Sequence, residues 1–353
     1  MLRQGKDIPA GEFPCDSKVD VSVSINFRKA GRPEHQAVQR RRSQAGRSLN
    51  MFGNEPAISP AATRKLFLVG CPRSGTTVLQ AAIGRLPGIF TLPETRWFPL
   101  LLGGFDDWSH HRDDRVRAKW RRRLAVVGQR THRELRGAMA YAMEGSSGTP
   151  GLRRRLRGTS YIGDFVRLMD RAALQQGCST WLEKTPEHYA YIDIITRYIP
   201  DARFIHVIRN CEDVVASAID GQIRYADHGV FSGGIPQWVE RWNRAAETHL
   251  QYAGRDGHLV LRYEDFVAAP QAALQRVRTF AGIDAGLPAA ATPAVADLRT
   301  EPWKTDSVNA PVRAARSKFD DMFGPQLRAW LRQHLRDYDS VSAELRQRQI
   351  PSY

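Results

Sequence analysis

The chain has 353 residues, room for one large α/β domain or two to three smaller ones. A hydrophobic fraction of 42% with 25% charged residues excludes a collagen, a coiled-coil rod and wholesale disorder. Fifty-two Lys and Arg against 37 Asp and Glu leave a net charge of +15, which predicts an anionic partner, and no helix-turn-helix, zinc or RNP-like pattern points to nucleic acid.

Residues 1–62 are polar, with Gly, Pro and Ser throughout and the basic run Arg40, Arg41, Arg42. Apart from a short VSVSINF alternation no periodicity survives there, so a disordered basic tail is expected. Met51 is a candidate start residue on the same reading, because the first convincing element follows shortly after it. That element is LFLVG, residues 66–70, an apolar run of buried-strand length. It passes through a glycine turn into TTVLQAAIGRL, where Val78, Leu79, Ala82, Ile83 and Leu86 recur at helical spacing.

A short strand around Phe90 leads to the loop LPETRWFP, which holds Glu94 and Arg96. Residues 106–177 read as a basic helical insertion broken at 145–151; within 112–157, 14 Lys or Arg oppose Asp113, Asp114, Glu134 and Glu144, a local net of +10. The segment WLEK is a short strand, 188–198 a helix, RFIHVI at 203–208 a strand, and 212–219 a helix. The helix IPQWVERWNRAAETHLQYA, the strand HLVLRY and the helix PQAALQRVRTFAGI complete an alternating order. Such alternation with long crossovers implies a mostly parallel sheet flanked by helices, a P-loop-type α/β fold with a helical insertion.

Four cysteines, Cys15, Cys71, Cys178 and Cys211, lack C-x-x-C spacing and neighbouring histidines, so neither a disulfide framework nor a metal site is expected. No run approaches the length of a membrane span or a signal-peptide core. The reading is a soluble, cytoplasmic protein.

The sequence GCPRSGTT, residues 70–77, lies between the first strand and helix and fits G-x-x-x-x-G-K-S/T with Thr76 in the lysine position. Backbone N–H groups of such a turn and the positive helix end form an anion cradle from Arg73, Ser74, Gly75, Thr76 and Thr77. The missing lysine, with Arg73 inside the loop instead, points away from nucleoside triphosphate hydrolysis. After the RFIHVI strand, Arg209 and Ser217 stand eight residues apart at the same carboxyl edge of the sheet, where such sheets bind ligands. Two anion sites on one edge predict a ligand with two separated phosphate groups.

Through these motifs the chain resembles the PAPS-dependent sulfotransferases, which use 3′-phosphoadenosine 5′-phosphosulfate as donor and release PAP. PRSGTT is similar to their 5′-phosphosulfate loop, and Arg209 with Ser217 to their 3′-phosphate motif. The similarity runs through LPETR, WLEKTP, WNRAAET and LRYEDF, over residues 64–285, and is nearest to tyrosylprotein sulfotransferases and related bacterial enzymes. It implies a catalytic domain over 63–340 with 341–353 as a C-terminal tail.

The resemblance implies Glu94 as general base, Lys184 on the donor's leaving oxygen, Arg73 as a second neutralising group, and no metal. A carboxylate in a loop beside the anion cradle suits the first role; His188, four residues after Lys184, is the alternative base. Arg96 is a candidate for the acceptor. Tyr263 of LRYEDF is a candidate for the donor and equally for the core, and Lys304 and Ser307 of KTDSVN are further donor-binding candidates by resemblance. The acceptor, a hydroxyl on a protein tyrosine, glycan, lipid or small molecule, is expected to be anionic or flanked by acidic groups. A P-loop small-molecule kinase and a non-catalytic nucleotide- or polyanion-binding domain are the alternatives.

Overall fold

The computed structural model describes residues 63–103, 126–143, 151–228, 233–283, 295–296, 298, 301–309, 312 and 316–349. The expected tail over 1–62, Met51, and the arginines Arg121, Arg122 and Arg123 lie outside the described residues.

Five strands, β1 (Arg64–Gly70), β2 (Ile89–Thr91), β3 (Thr180–Lys184), β4 (Ala202–Ile208) and β5 (His258–Arg262), form one sheet in the order β2-β3-β1-β4-β5, and every pairing is parallel. This is the architecture expected from the alternating pattern. The chain leaves β1 toward β2 on one side and leaves β4 toward β5 on the other. The carboxyl ends of the adjacent strands β1 and β4 therefore flank the topological switch point, the natural crevice of an open α/β sheet.

Strand alternation sends Phe67 and Val69 of β1 into one core with Trp181 and Phe204, and Leu66 and Leu68 into a second core with Leu182, Ile205 and Val207. Phe67 stacks on Phe204 at 5.6 Å and meets Trp181 edge-on at 5.3 Å; each such fully buried aromatic contributes about 1.5–3 kcal/mol. The helix α1 (Thr76–Ile83) covers the second core through Leu79 and Ile83. The first is covered by α2 (Trp97–Leu102), α3 (Gln129–Ala142) and α4 (Gly158–Gln175), and by later helices described below.

The segment expected as one helix from 188 starts instead as a 3-10 turn, Pro186–Tyr191, and continues as α5 (Ile192–Tyr198). After β4 comes α6 (Cys211–Arg224), and α7 (Ile235–Tyr252) precedes β5. Next follow α8 (Tyr263–Ala268), α9 (Pro270–Ala281), α10 (Thr305–Asn309), α11 (Phe319–Met322) and α12 (Pro325–His334). The last helix, α13 (Tyr338–Arg348), corrects the expected C-terminal tail: Tyr338, Val341 and Leu345 are buried in the first core. Three apolar residues at i, i+3 and i+7 are enough to dock a surface helix.

Candidate active site

The end of β1 and the turn after it are built on two glycines at which a side chain would clash. A Cβ on Gly70 would come within 2.5 Å of the Val207 carbonyl oxygen, so β1 and β4 approach closely because the side chain is absent. Gly75 has φ +86°, and a Cβ there would strike the Tyr263 ring at 2.3 Å. Tyr263 thus forms a wall against the loop. Gly75 caps α1 without a side-chain acceptor, which leaves the first-turn N–H groups without a capping side chain. Ser74 Oγ is buried and lacks a hydrogen-bond partner, an orphaned donor in the cradle that an anionic oxygen would satisfy.

The β4 end is held from three sides. Trp242 Nε1 donates to the Arg209 carbonyl at 3.0 Å, and Glu264 accepts the Asn210 N–H at 2.9 Å while taking the Tyr338 hydroxyl on its other oxygen. Asn210 itself caps α6, accepting from the N–H groups of Glu212 and Asp213. Arg209 packs 4.7 Å from the centre of the Tyr263 ring, and its Nη1 donates to the Arg73 carbonyl at 3.4 Å. Its Nε is buried without a partner, a second orphaned donor on the same edge. Arg73, at φ 75°, turns its side chain toward α6 and donates through Nε to Ser217 Oγ at 3.1 Å. Burial and the Arg209 charge lower its pKa to about 10.

A third group stands beside the cradle. Alternation in β3 sends Lys184 to the α1 face and Glu183 to the opposite face. Lys184, fully buried, donates to Thr77 Oγ1 at 3.3 Å and to Glu94 Oε1. The ammonium that the loop lacks at Thr76 is therefore supplied from the neighbouring strand. Lys304 donates to the same Glu94 oxygen at 2.9 Å and pairs with Glu301 at 2.5 Å. Burial pushes the Glu94 carboxyl up, but the Lys184 and Lys304 ammonium groups outweigh it and hold the group well below the usual carboxylate range. Burial in turn lowers the Lys184 pKa despite Glu94.

On the far face, Glu183 is fully buried and accepts from Thr95 Oγ1 at 2.8 Å and Thr185 Oγ1 at 2.7 Å. His188, the alternative base, lies with Nδ1 2.8 Å from Glu183 Oε2, fully buried between Phe67 and Phe98. The structure places it behind the strand, fixing the Glu94 loop through Glu183 and Thr95, and not at the cradle. Arg96 is exposed at φ 49°. It and Arg73 are the non-glycine residues with positive φ among the described residues, and both border the site, where backbone strain tends to be retained. Ser307 is half-buried on α10, and the ion-pair cluster forms without it.

Residues 65–286 match the family model described as the sulfotransferase family. The chain belongs to that family. As a sulfotransferase it moves a sulfuryl group to an acceptor. The sulfotransferase domain of the Synechococcus PCC 7002 olefin synthase shares 17% identity over 81% of this chain and 92% of its own, with a TM-score of 0.39. A sulfotransferase from Alicyclobacillus acidocaldarius shares 16% over 80% and 99%, with a TM-score of 0.40. A mouse sulfotransferase complexed with PAP shares 14% over 80% and 88%, also at 0.40.

Sequence reading of this sulfotransferase missed the residues that hold the loops: Glu183, Trp242, Glu264 and Tyr338. The period-2 pattern of WLEK carried the signal for Glu183, since an acid beside a buried lysine must face the other way. No helix among the described residues is long and apolar enough to cross a membrane.

Proposed function

We propose that the sulfotransferase uses PAPS as donor, with the loop of Arg73, Ser74, Gly75, Thr76 and Thr77 on the 5′-phosphosulfate and Arg209 with Ser217 on the 3′-phosphate. The observation that carries this reading is the position of Lys184, whose ammonium touches both Thr77 of the anion cradle and Glu94. One group thereby links the place where negative charge develops on the leaving oxygen to the place where the acceptor proton goes. The orphaned donors Ser74 Oγ and Arg209 Nε support the assignment of two anion sites on one edge.

In the proposed reaction Glu94 accepts the acceptor's hydroxyl proton as the new O–S bond forms. The bond from sulfur to the phosphate oxygen breaks, and its electron pair stays on PAP, neutralised by Lys184. Positioning and charge stabilisation supply the rate, by analogy with phosphoryl transfer. Arg73 contributes from the Ser217 side. Arg96 borders the acceptor side, and the net positive charge of the sequence over 112–157 favours an anionic or acid-flanked hydroxyl; the resemblance to tyrosylprotein sulfotransferases makes an acidic tyrosine peptide the first acceptor to try. The reading needs no metal. It places the enzyme in the cytoplasm, a reducing compartment suited to the free, buried Cys71, Cys178 and Cys211.

Incubation of the full chain with sulfur-labelled PAPS and a panel of phenols, acidic tyrosine peptides and hydroxylated sugars tests this. Label should pass to one acceptor class in the presence of EDTA. Phosphate transfer from ATP that requires Mg²⁺ would overturn it.

A further inference from the structure

Two ammonium groups share one oxygen of Glu94, and they are tethered differently. Lys184 has Thr77 of the anion cradle as its second contact, so a donor arriving in the cradle competes with Glu94 for its charge. Lys304 has Glu301 as its second contact, 2.5 Å away; its segment is tied to the turn after α1, where Arg85 Nη2 donates to the Val308 carbonyl at 3.2 Å, and braced within itself by Thr305 Oγ1, which donates to the Pro302 carbonyl at 2.8 Å. Lys304 is buried and ends the 3-10 turn Pro302–Lys304, from which it reaches Glu94. The charges alternate along the row Lys184, Glu94, Lys304, Glu301, which balances them before any ligand enters.

We propose that Lys304 is a positioning residue that keeps Glu94 anchored and ionised when the donor draws Lys184 away. The inference rests on the donor reading above. Without Lys304, the departure of Lys184 would leave a buried carboxylate with no counter-charge, which takes up a proton and can no longer act as a base. With Lys304 in place, Glu94 keeps one partner and its orientation, while losing the second positive charge that made it a weak base. Donor binding and base strength are thus coupled through one oxygen atom. The other charged groups around Glu94 do not replace Lys304. Glu187, from the turn after β3, is of the same sign, and its own carboxyl is pushed up first by burial and then by Glu94. Arg96 on the Glu94 loop is exposed, and Glu301 serves Lys304.

The test needs no acceptor. Calorimetric titration of the full chain with adenosine 3′,5′-bisphosphate at pH 7, repeated in buffers of different ionisation enthalpy, counts the protons taken up on binding. The wild-type chain sets the baseline. Lys304→Met should take up as much as about one proton more, with bisphosphate affinity changed by no more than about threefold. Lys304→Arg should return to the baseline, and Glu94→Gln combined with Lys304→Met should abolish the extra uptake. Should Lys304→Met fail to fold, Lys304→Gln removes the charge while keeping a hydrogen-bond donor and should show the same uptake. Equal uptake in wild type and the uncharged variants overturns the relay alone. A tenfold or greater loss of affinity without extra uptake, the scale of about 1.4 kcal/mol, overturns it in favour of Lys304 as a donor ligand. No bisphosphate binding by the wild-type chain overturns the donor reading and the relay with it.

Discussion

Arg73 Nε donates to Ser217 Oγ at 3.1 Å across 144 residues of sequence. The bond joins the turn after β1 to the helix after β4, so the two elements proposed to hold the donor's phosphates form one surface. Arg209 closes the same surface from below, with a guanidinium on the Arg73 carbonyl and a ring contact to Tyr263.

Replacing Arg209 with Ala should weaken adenosine 3′,5′-bisphosphate by about 1.5–3 kcal/mol, the range for hydrogen bonds to a charged group. Adenosine 5′-phosphate, which lacks the 3′ group, should bind the variant and the wild type alike. Calorimetry with both ligands checks this, and ATP competing as well as the bisphosphate would show the 3′-phosphate site to be misplaced.

Glu94→Gln should keep bisphosphate affinity and lower turnover by about 10²–10⁴, the usual contribution of a general base. His188→Ala should act differently. It opens a cavity among Phe67 and Phe98 and strands Glu183, so the melting temperature should fall while bisphosphate still binds the folded fraction. Full activity in Glu94→Gln with turnover lost in a stably folded His188→Ala would return the base to His188.

Glu264→Ala removes the acceptor of both the Asn210 N–H and the Tyr338 hydroxyl. Leaving such groups unpaired costs about 1–3 kcal/mol, and the loop carrying Arg209 loses its anchor. Urea unfolding should show the stability loss, and bisphosphate titration an accompanying drop in affinity. A variant with wild-type affinity would mean that Trp242 alone fixes the loop.

Three histidines form a chain under the sheet: His206 Nδ1 lies 2.9 Å from His249 Nδ1, and His206 Nε2 lies 2.9 Å from His258 Nδ1. Burial lowers the pKa of His206 well below the ordinary value, that of His249 to about 3 and that of His258 to about 4. The unfolded chain protonates these groups near pH 6.5, whereas the folded one does not until far lower. Stability is therefore full above about pH 6.5 and falls with acidification, at up to about 1.4 kcal/mol per pH unit for each histidine. Urea midpoints at pH 7.5 and pH 5 should separate, before most carboxylates titrate, and His206→Gln should shrink the separation. Equal midpoints would show that the chain accommodates the protons when folded.

The strand, glycine turn and helix around GCPRSGTT and the spacing of Arg209 and Ser217 were legible in the sequence because each is local. An apolar run, a turn residue and a helical period lie within some twenty residues, and an alternating order of such units implies a parallel sheet whose carboxyl edge gathers the loops. Glu94, Lys184 and Lys304 were each identifiable as chemistry-bearing residues in their motifs. What joins them was not, since Glu94 meets Lys184 and Lys304 across 90 and 210 residues, and strand order and side-chain face together decide such contacts. The alternation that turns Lys184 toward the cradle turns Glu183 behind the sheet, and the 3-10 turn after β3 sets His188 against Glu183 there, which converts an alternative base into a structural support. Only the tertiary structure sent Arg73 to Ser217 and folded Tyr338–Arg348 back over the core, because those outcomes depend on which surfaces remain uncovered once the sheet has formed.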